Sequence, residues 1–243
     1  MTSFAVLVAL GVAALGYFRL PASDQAWGRV ESPWRDRLEA TRHILRAVSA
    51  RPGMRIIDVG AGVGYFTFKL ARAVGPEGVV YATDVDRAIH RRLRFERLVR
   101  RAWNVRPVLL DWNDAGLGVA VSSVDAVLMV NVYAMSTCEP ARNRRFLRHV
   151  ASALRPGGRF VLAVDFVHSV GWVDPEGRPA RCGNLSLDEV ARASEGALVV
   201  VERHTVHVQN YVHREHERPG YVGVFTPSPE LSAGAFPETP PAP

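Results

Sequence analysis

The chain is expected to fold as one α/β domain around a doubly wound, mostly parallel sheet, with a hydrophobic helix ahead of it. Three observations carry this expectation. From residue 33 to 226, short β-rich apolar runs alternate with helix-like stretches, the pattern of a parallel sheet whose site lies at the strand carboxyl ends. The first of these runs passes directly into Gly60, Gly62 and Gly64, and then into a helix-like stretch from Tyr65 to Val74. The composition, 48% hydrophobic and 22% charged over 243 residues, suits a single sizeable core. No internal repeat interrupts it.

The elements follow in order. Phe4 to Phe18 is apolar without a break. It is shorter than the roughly 20 residues of a comfortable membrane span. It lacks the basic leading region of a secretory signal, and no good cleavage site follows it. Arg19, Arg29, Arg35 and Arg37 come next, and the positive-inside rule puts that side in the cytoplasm. The preferred reading is a single short anchor at residues 1–20 on the cytoplasmic side of the inner membrane. A cleaved signal, or a misassigned start that leaves a cytoplasmic protein, stands as an alternative. Residues 21–32 form a linker. Pro33 opens a helix through Ala50, with Trp34, Leu38, Leu45 and Val48 roughly on one stripe. The main domain is expected over 33–226, and a disordered, proline-rich tail over 227–243.

Ile56-Ile57-Asp58-Val59 followed by the three glycines reads as a strand, a tight turn and a helix start. Glycine allows positive φ and close backbone approach, and the new helix presents free N–H groups to a ligand. Spacing narrows the ligand. A dinucleotide turn needs a small residue where this chain has Tyr65, which disfavours NAD or FAD. No Lys-Ser/Thr pair follows, as a triphosphate loop requires. Asp58 is a poor neighbour for phosphate and suits a ligand with a cationic amine.

Later runs end in polar residues at their carboxyl ends. Gly78 to Asp84 reads as the second strand, Val108 to Trp112 as the third with Asp111 near its end, and Val124 to Asn131 as the fourth. Leu154-Arg155-Pro156-Gly157-Gly158 reads as a turn into the fifth. Asp125 is expected to start the fourth strand rather than to touch a ligand. This ordered set resembles the class I S-adenosylmethionine-dependent methyltransferases over roughly Trp34 to Phe225. The resemblance implies S-adenosylmethionine as cofactor. It assigns the methionine end to Asp58, Gly60, Ala61, Gly62 and Gly64, the ribose hydroxyls to Asp84, the adenine amino group to Asp111 with Trp112 against the ring, and a cofactor-facing place to Asn131. It also implies that the helix opened by Pro33 covers the cofactor.

The net charge is +6, carried almost wholly by arginine, with Lys69 the one lysine. Arg87, Arg91, Arg92, Arg94, Arg97, Arg100 and Arg101 crowd the helix after Asp84, whose buried side is expected to be Ile89, Leu93, Leu98 and Val99. Three readings of this charge stand: an anionic membrane surface, nucleic acid, or a solvated face. The absence of interleaved aromatic residues disfavours nucleic acid. Cys138 and Cys182 have no metal-like spacing. His204 and His207 lie three apart on a strand and so on opposite faces, and His213 and His216 fall in a charged turn. No metal is expected.

Methyl transfer is an in-line displacement that positioning alone can catalyse in large part. Asn131-Val132-Tyr133-Ala134 lacks the aromatic-flanked proline pair that resembles base or glutamine amino methylation. No Pro-Cys nucleophile or paired-glutamate loop appears either. What remains resembles the branch acting on small-molecule, quinone-like or lipid-like substrates. Many of its members carry a histidine where this chain has Ala134. His168, after the fifth strand, is the replacement candidate for a general base, and Tyr133 is a candidate to orient the substrate. Residues Ser169 to Asn184, rich in Gly and Pro and containing Trp172 and Arg181, read as a substrate lid. Ser186 and Glu189 read as a capping box. A cofactor-binding scaffold without activity, or a soluble protein or RNA methyltransferase, is the alternative.

Overall fold

A computed structural model describes residues 36, 40–111, 116–132, 140–164, 172–173, 179–180, 186–207 and 219–229. Its elements are α1 (Thr41–Val48), β1 (Arg55–Val59), α2 (Tyr65–Val74), β2 (Val79–Asp84), α3 (Arg87–Val99), β3 (Val105–Leu109), β4 (Val124–Val130), α4 (Pro140–Ala153), β5 (Leu154–Val164), β6 (Trp172–Val173), β7 (Pro179–Ala180), α5 (Leu187–Ala193), β8 (Leu198–His207) and β9 (Pro219–Pro227). Seven strands form one sheet in the order β3-β2-β1-β4-β5-β9-β8. β1 pairs in parallel with β2 and β4, β2 with β3, and β4 with β5. β9 runs antiparallel between β5 and β8. The sheet is therefore mixed, its parallel part doubly wound and its far edge a hairpin-like addition.

Successive side chains on a strand point to opposite faces, and the two core layers follow from that. Ile56 belongs to the layer under α1, α2 and α3, with Phe66, Leu70, Val74 and Leu93. Its neighbour Ile57 belongs to the layer under α4 and α5, with Phe146, Leu147, Val190 and Phe225. Strands buried on both faces need apolar residues at consecutive positions, which is why β1 and β4 read as continuous apolar runs.

Four expectations are corrected. Ala40 adopts the left-handed region at φ 47 and Ser49 at φ 53, so the described helix is Thr41–Val48 rather than a run through Ala50. The third strand is Val105–Leu109, and Asp111 lies beyond its end. The fold does not stop at residue 226: Leu198 pairs with Pro227, and the buried Ser228 donates its N–H to the carbonyl of Ala197 at 3.0 Å. Finally, Leu98 and Val99 are not on the buried side of α3; they are 55% and 62% exposed. At about 100° per residue they lie roughly 140° and 120° around the helix from the buried Leu93. The inward position is taken instead by Glu96, whose carboxylate holds Arg92 and Arg100 one turn to either side.

Asp125 does start β4. Its carboxylate accepts from the Arg55 N–H at 2.7 Å and pairs with Arg155 at 2.8 Å, tying three strand starts together. The Ser186–Glu189 capping box opens α5 as expected. The apolar run Phe4–Phe18 lies outside the described residues, and no described helix is long and apolar enough to cross a membrane.

Candidate functional site

Strand order reverses between β1 and β4, and ligands of open α/β sheets bind in the crevice at such a point. The turn from β1 into α2 lies there, and its three glycines do different work. Gly60 has φ +65, and a Cβ on it would lie 2.4 Å from Val132 Cγ2; Gly64 has φ +95, and its Cβ would lie 2.4 Å from Phe68 Cε2. These two glycines let the chain pack against β4 and α2. At Gly62, φ +54, a Cβ would meet nothing within 4 Å. The middle glycine leaves a cradle over the turn. No side chain caps the first turn of α2, so its N–H groups are left to a ligand or to water.

Asp84, at the end of β2, closes this cradle. Its Oδ2 accepts from the Gly62 N–H and its Oδ1 from the Asp86 N–H, each at 3.0 Å. An ionised carboxylate has about four lone-pair sites, so acceptor capacity remains for donors from a ligand. Burial pushes the Asp84 carboxyl above its ordinary 3.8; the bonds from the Asp86, Gly62 and Val85 amides pull it back, and the charge of Asp86 adds to the upward push. Capping of α3 falls to Asp86, whose side chain accepts from the N–H groups of Ala88 and Ile89. Asp84 is thereby left to the turn.

The other expected site residues sort as follows. Asp58 is only 3% exposed and accepts from Thr67 Oγ1 at 2.6 Å; its described bond ties β1 to α2 beneath the turn. Ala61 donates its N–H to the Thr83 carbonyl at 2.9 Å, fixing the turn to the end of β2. Asn131 directly follows β4 at φ 52, a region Asn tolerates better than most residues, and its N–H donates to the Ala163 carbonyl at 3.0 Å. Asp111 is exposed beyond β3, and the adjacent Leu110 N–H bonds the Asp84 carbonyl at 2.9 Å, so the two acids follow neighbouring strand ends. Trp112, Tyr133 and His168 lie outside the described residues, as do Cys138, Cys182, His213 and His216.

A cluster at the start of α2 escaped the sequence reading. The buried Tyr65 hydroxyl lies 2.8 Å from Thr41 Oγ1 and donates to Asp36. Lys69 pairs with Asp36 at 2.9 Å and sits over the Tyr65 ring at 4.7 Å. Burial pushes the Asp36 carboxyl up, but the bonds from Tyr65 and Lys69 and the charges of Lys69 and Arg72 outweigh it and hold it below 3.8. These bonds tie α1 and Asp36 to the start of α2. The available signal was the only lysine standing four residues after a tyrosine, on one helix face.

Residues 56–158 match the family model described as "Methyltransferase domain". The chain carries a class I, S-adenosylmethionine-dependent methyltransferase domain. Among curated proteins, the methyltransferase domain is similar to a nocamycin O-methyltransferase of Saccharothrix syringae, 33% identical over 121 residues, 50% of this chain and 41% of that one. It is 32% identical over 114 residues to a protein-L-isoaspartate O-methyltransferase of Methanothrix thermoacetophila, 47% of this chain and 49% of that one. An rRNA 2'-O-methyltransferase fibrillarin of Arabidopsis thaliana is 28% identical over 140 residues, 56% of this chain and 42% of that one. The chain thus spans less than half the length of these relatives. Its fold resembles that of a SAM-dependent methyltransferase from Aquifex aeolicus, with TM-score 0.59 at 19% identity over 83% of this chain and 97% of that one. It also resembles the complex of the Haloferax volcanii Trm112 methyltransferase activator with a putative methyltransferase, with TM-score 0.63 at 20% identity over 86% of this chain and 99% of that one. S-adenosylmethionine is the cofactor of such a domain, and the cradle over Gly62 beside Asp84 fits it.

Proposed function

We propose that the chain moves a methyl group from S-adenosylmethionine to a small-molecule, quinone-like or lipid-like acceptor near a membrane. The observation that carries the cofactor half is the Gly62–Asp84 pair: an open cradle whose floor N–H is tied to a carboxylate with acceptor capacity to spare. When bound, the cofactor supplies an electrophilic methyl on a positively charged sulfur. Asp84 would accept from the two ribose hydroxyls, Asp111 from the adenine amino group with Trp112 beside the ring, and Asn131 would border the cofactor. Gly60, Ala61, Gly62 and Gly64, at the uncapped start of α2, would hold the methionine end, with Asp58 beneath its cationic amine. The acceptor atom would take the methyl as the carbon–sulfur electron pair stays on sulfur, and the acceptor's proton would pass to a base or to solvent. His168 is proposed as that base and Tyr133 as an orienting group. Among relatives, the nocamycin enzyme and a 45-residue match, 38% identical, to a ubiquinone/menaquinone C-methyltransferase of Shewanella frigidimarina favour this acceptor class. The apolar run at residues 4–18, followed by arginines, supports placement at the cytoplasmic face of a membrane.

The test is calorimetric titration of the full chain with S-adenosylmethionine, S-adenosylhomocysteine and NAD, then a labelled-methyl screen of membrane extracts. Micromolar binding of both S-adenosyl compounds, none of NAD, and label in an organic-soluble product are expected. Label in protein or RNA alone would refute the acceptor class while leaving the cofactor assignment intact.

A further inference from the structure

Away from the cofactor turn, the amino ends of β2 and β3 border an open cleft of about 700 Å3. It is walled by Arg72, Arg100, Arg101 and Arg106, with Trp103 and Glu77 also in the lining. α3 joins the two ends of the sheet: its first turn is capped by Asp86 beside the cofactor turn, and its last turn ends at this cleft. The separation is one helix length, roughly 20 Å for 13 residues. The catalytic reading makes no use of these arginines.

Two features mark the cleft as a binding site for an anion. Its charge is one-sided: four guanidinium groups stand against the single carboxylate of Glu77. Arg100 is engaged by Glu96, but neither Arg101 nor Arg106 forms an ion pair among the described residues, and both are exposed. Arg101 holds the left-handed region at φ 52 because it closes α3: its N–H donates to the Leu98 carbonyl at 3.1 Å and the Ala102 N–H to the Arg97 carbonyl at 3.0 Å. Three carbonyls at this end of α2 are already bonded within the fold. Asn104 Nδ2 donates to the carbonyls of Ala71 and Gly75 at 2.8 Å each, and the Gly53 N–H bonds the Val74 carbonyl at 2.9 Å.

The cleft also has an apolar rim. Trp103 is 58% exposed, with Arg97 over its ring at 5.3 Å. Phe68 and Pro76 add apolar surface to the lining. Guanidinium groups pair with phosphate oxygens in a fixed fork, and an indole takes an apolar or flat group beside them. We propose that this cleft is a second site that binds a phosphate-bearing ligand, its phosphate held by Arg101 and Arg106 with Arg72 and Arg100, and its apolar portion lying on Trp103. A phospholipid headgroup and a free phosphate compound share this chemistry. The inference does not depend on the methyl-transfer reading.

The test uses the full chain and Arg101→Glu/Arg106→Glu, with Arg101→Gln/Arg106→Gln as a milder pair, after circular dichroism has shown each to be folded. Inorganic pyrophosphate is titrated calorimetrically, and sedimentation is followed with vesicles of phosphatidylglycerol or phosphatidylcholine. Pyrophosphate binding weakened about tenfold or more by either pair, with S-adenosylhomocysteine affinity unchanged, supports the site. If phosphatidylglycerol sedimentation also falls in the pairs and in Trp103→Ala, the source is a lipid headgroup. If pyrophosphate binding falls and sedimentation does not, it is a free phosphate compound. Pyrophosphate that fails to bind, or binds the variants as well as the parent, overturns the proposal. So does binding confined to a single-stranded RNA 20-mer, which would make the cleft a nucleic-acid contact.

Discussion

Replacing Asp84 with alanine separates the cofactor reading from a structural one, because its effects on binding and on folding differ in size. In the free protein, Asp84 accepts from the N–H groups of Gly62 and Asp86. Losing both bonds costs about 1–2 kcal/mol, since those N–H groups lie where water can reach them. Against that loss, the substitution removes a carboxylate whose charged form is disfavoured by burial. The net change in stability is expected to stay within about 1 kcal/mol. Binding has no such offset. A carboxylate accepting from two hydroxyls supplies charge-assisted bonds of about 1.5–3 kcal/mol each, and the looser turn loses some of its alignment. The affinity for S-adenosylhomocysteine should fall by about 3–5 kcal/mol, a factor of roughly 100 to 4,000. Calorimetry gives the affinity and urea unfolding the stability. An affinity within threefold of the parent, in a folded protein, would refute the assignment of Asp84 to the ribose.

Four further outcomes are expected. Cofactor affinity should be flat near neutral pH and fall toward acid: the free-state carboxyl of Asp84 titrates above 3.8, binding requires the ionised form, and so protons compete as the pH drops through that raised value; calorimetry across acid pH, repeated with Asp84→Asn, checks this, and a Asp84→Asn variant with the same pH profile would count against it. Gly60→Ala should destabilise the fold by about 2–4 kcal/mol, from φ strain plus the clash with Val132, whereas Gly62→Ala should lose only about 1 kcal/mol in urea and Gly62→Arg should abolish binding by filling the cradle. Thr67→Val should destabilise by about 1–3 kcal/mol by removing a bond to the buried Asp58, with loss of the urea midpoint as the readout. His168→Ala should lower turnover on an identified acceptor at least tenfold without changing S-adenosylhomocysteine affinity; full turnover would remove His168 from the mechanism.

The central strands β1 and β4 were readable because they are buried on both faces and each is followed by a polar or glycine break, whereas the edge strand β3, mostly half-buried, was placed a few residues late. The turn from Gly60 to Gly64 and the place of Asp84 at the end of β2 were readable for a related reason: close backbone approach restricts residue type locally. What escaped depends on contacts distant in sequence. Tyr65 looked like one more apolar helix residue until its hydroxyl met Thr41, 24 positions earlier. Leu98 and Val99 looked like core, yet the buried stripe of α3 passes through Leu93 and Glu96, since an acid that holds two arginines can take an inward position that composition alone assigns to a leucine. The close of β9 at Pro227 was missed because proline and serine read as tail residues. An antiparallel partner, β8, keeps them in the sheet.

The distribution of charge gives these observations a common cause. Helices α2 and α3 begin at the carboxyl ends of the strands and finish at their amino ends, so their dipoles place partial positive charge at the cofactor end and partial negative charge at the other. Acids answer the first: Asp58, Asp84 and Asp86 all stand near helix starts. Basic residues answer the second, with Arg72 and Arg97 in the last turns of α2 and α3. A helix end carries only about half a charge, and Asn104 already bonds the carbonyls of Ala71 and Gly75 at the end of α2. Arg101 and Arg106 therefore exceed what the dipoles require. On the two proposals made above, a negatively charged ligand would neutralise this excess, while the acids near the cofactor turn would favour a cationic sulfonium and amine; one sheet would then hold two ligands of opposite charge about one length of α3 apart.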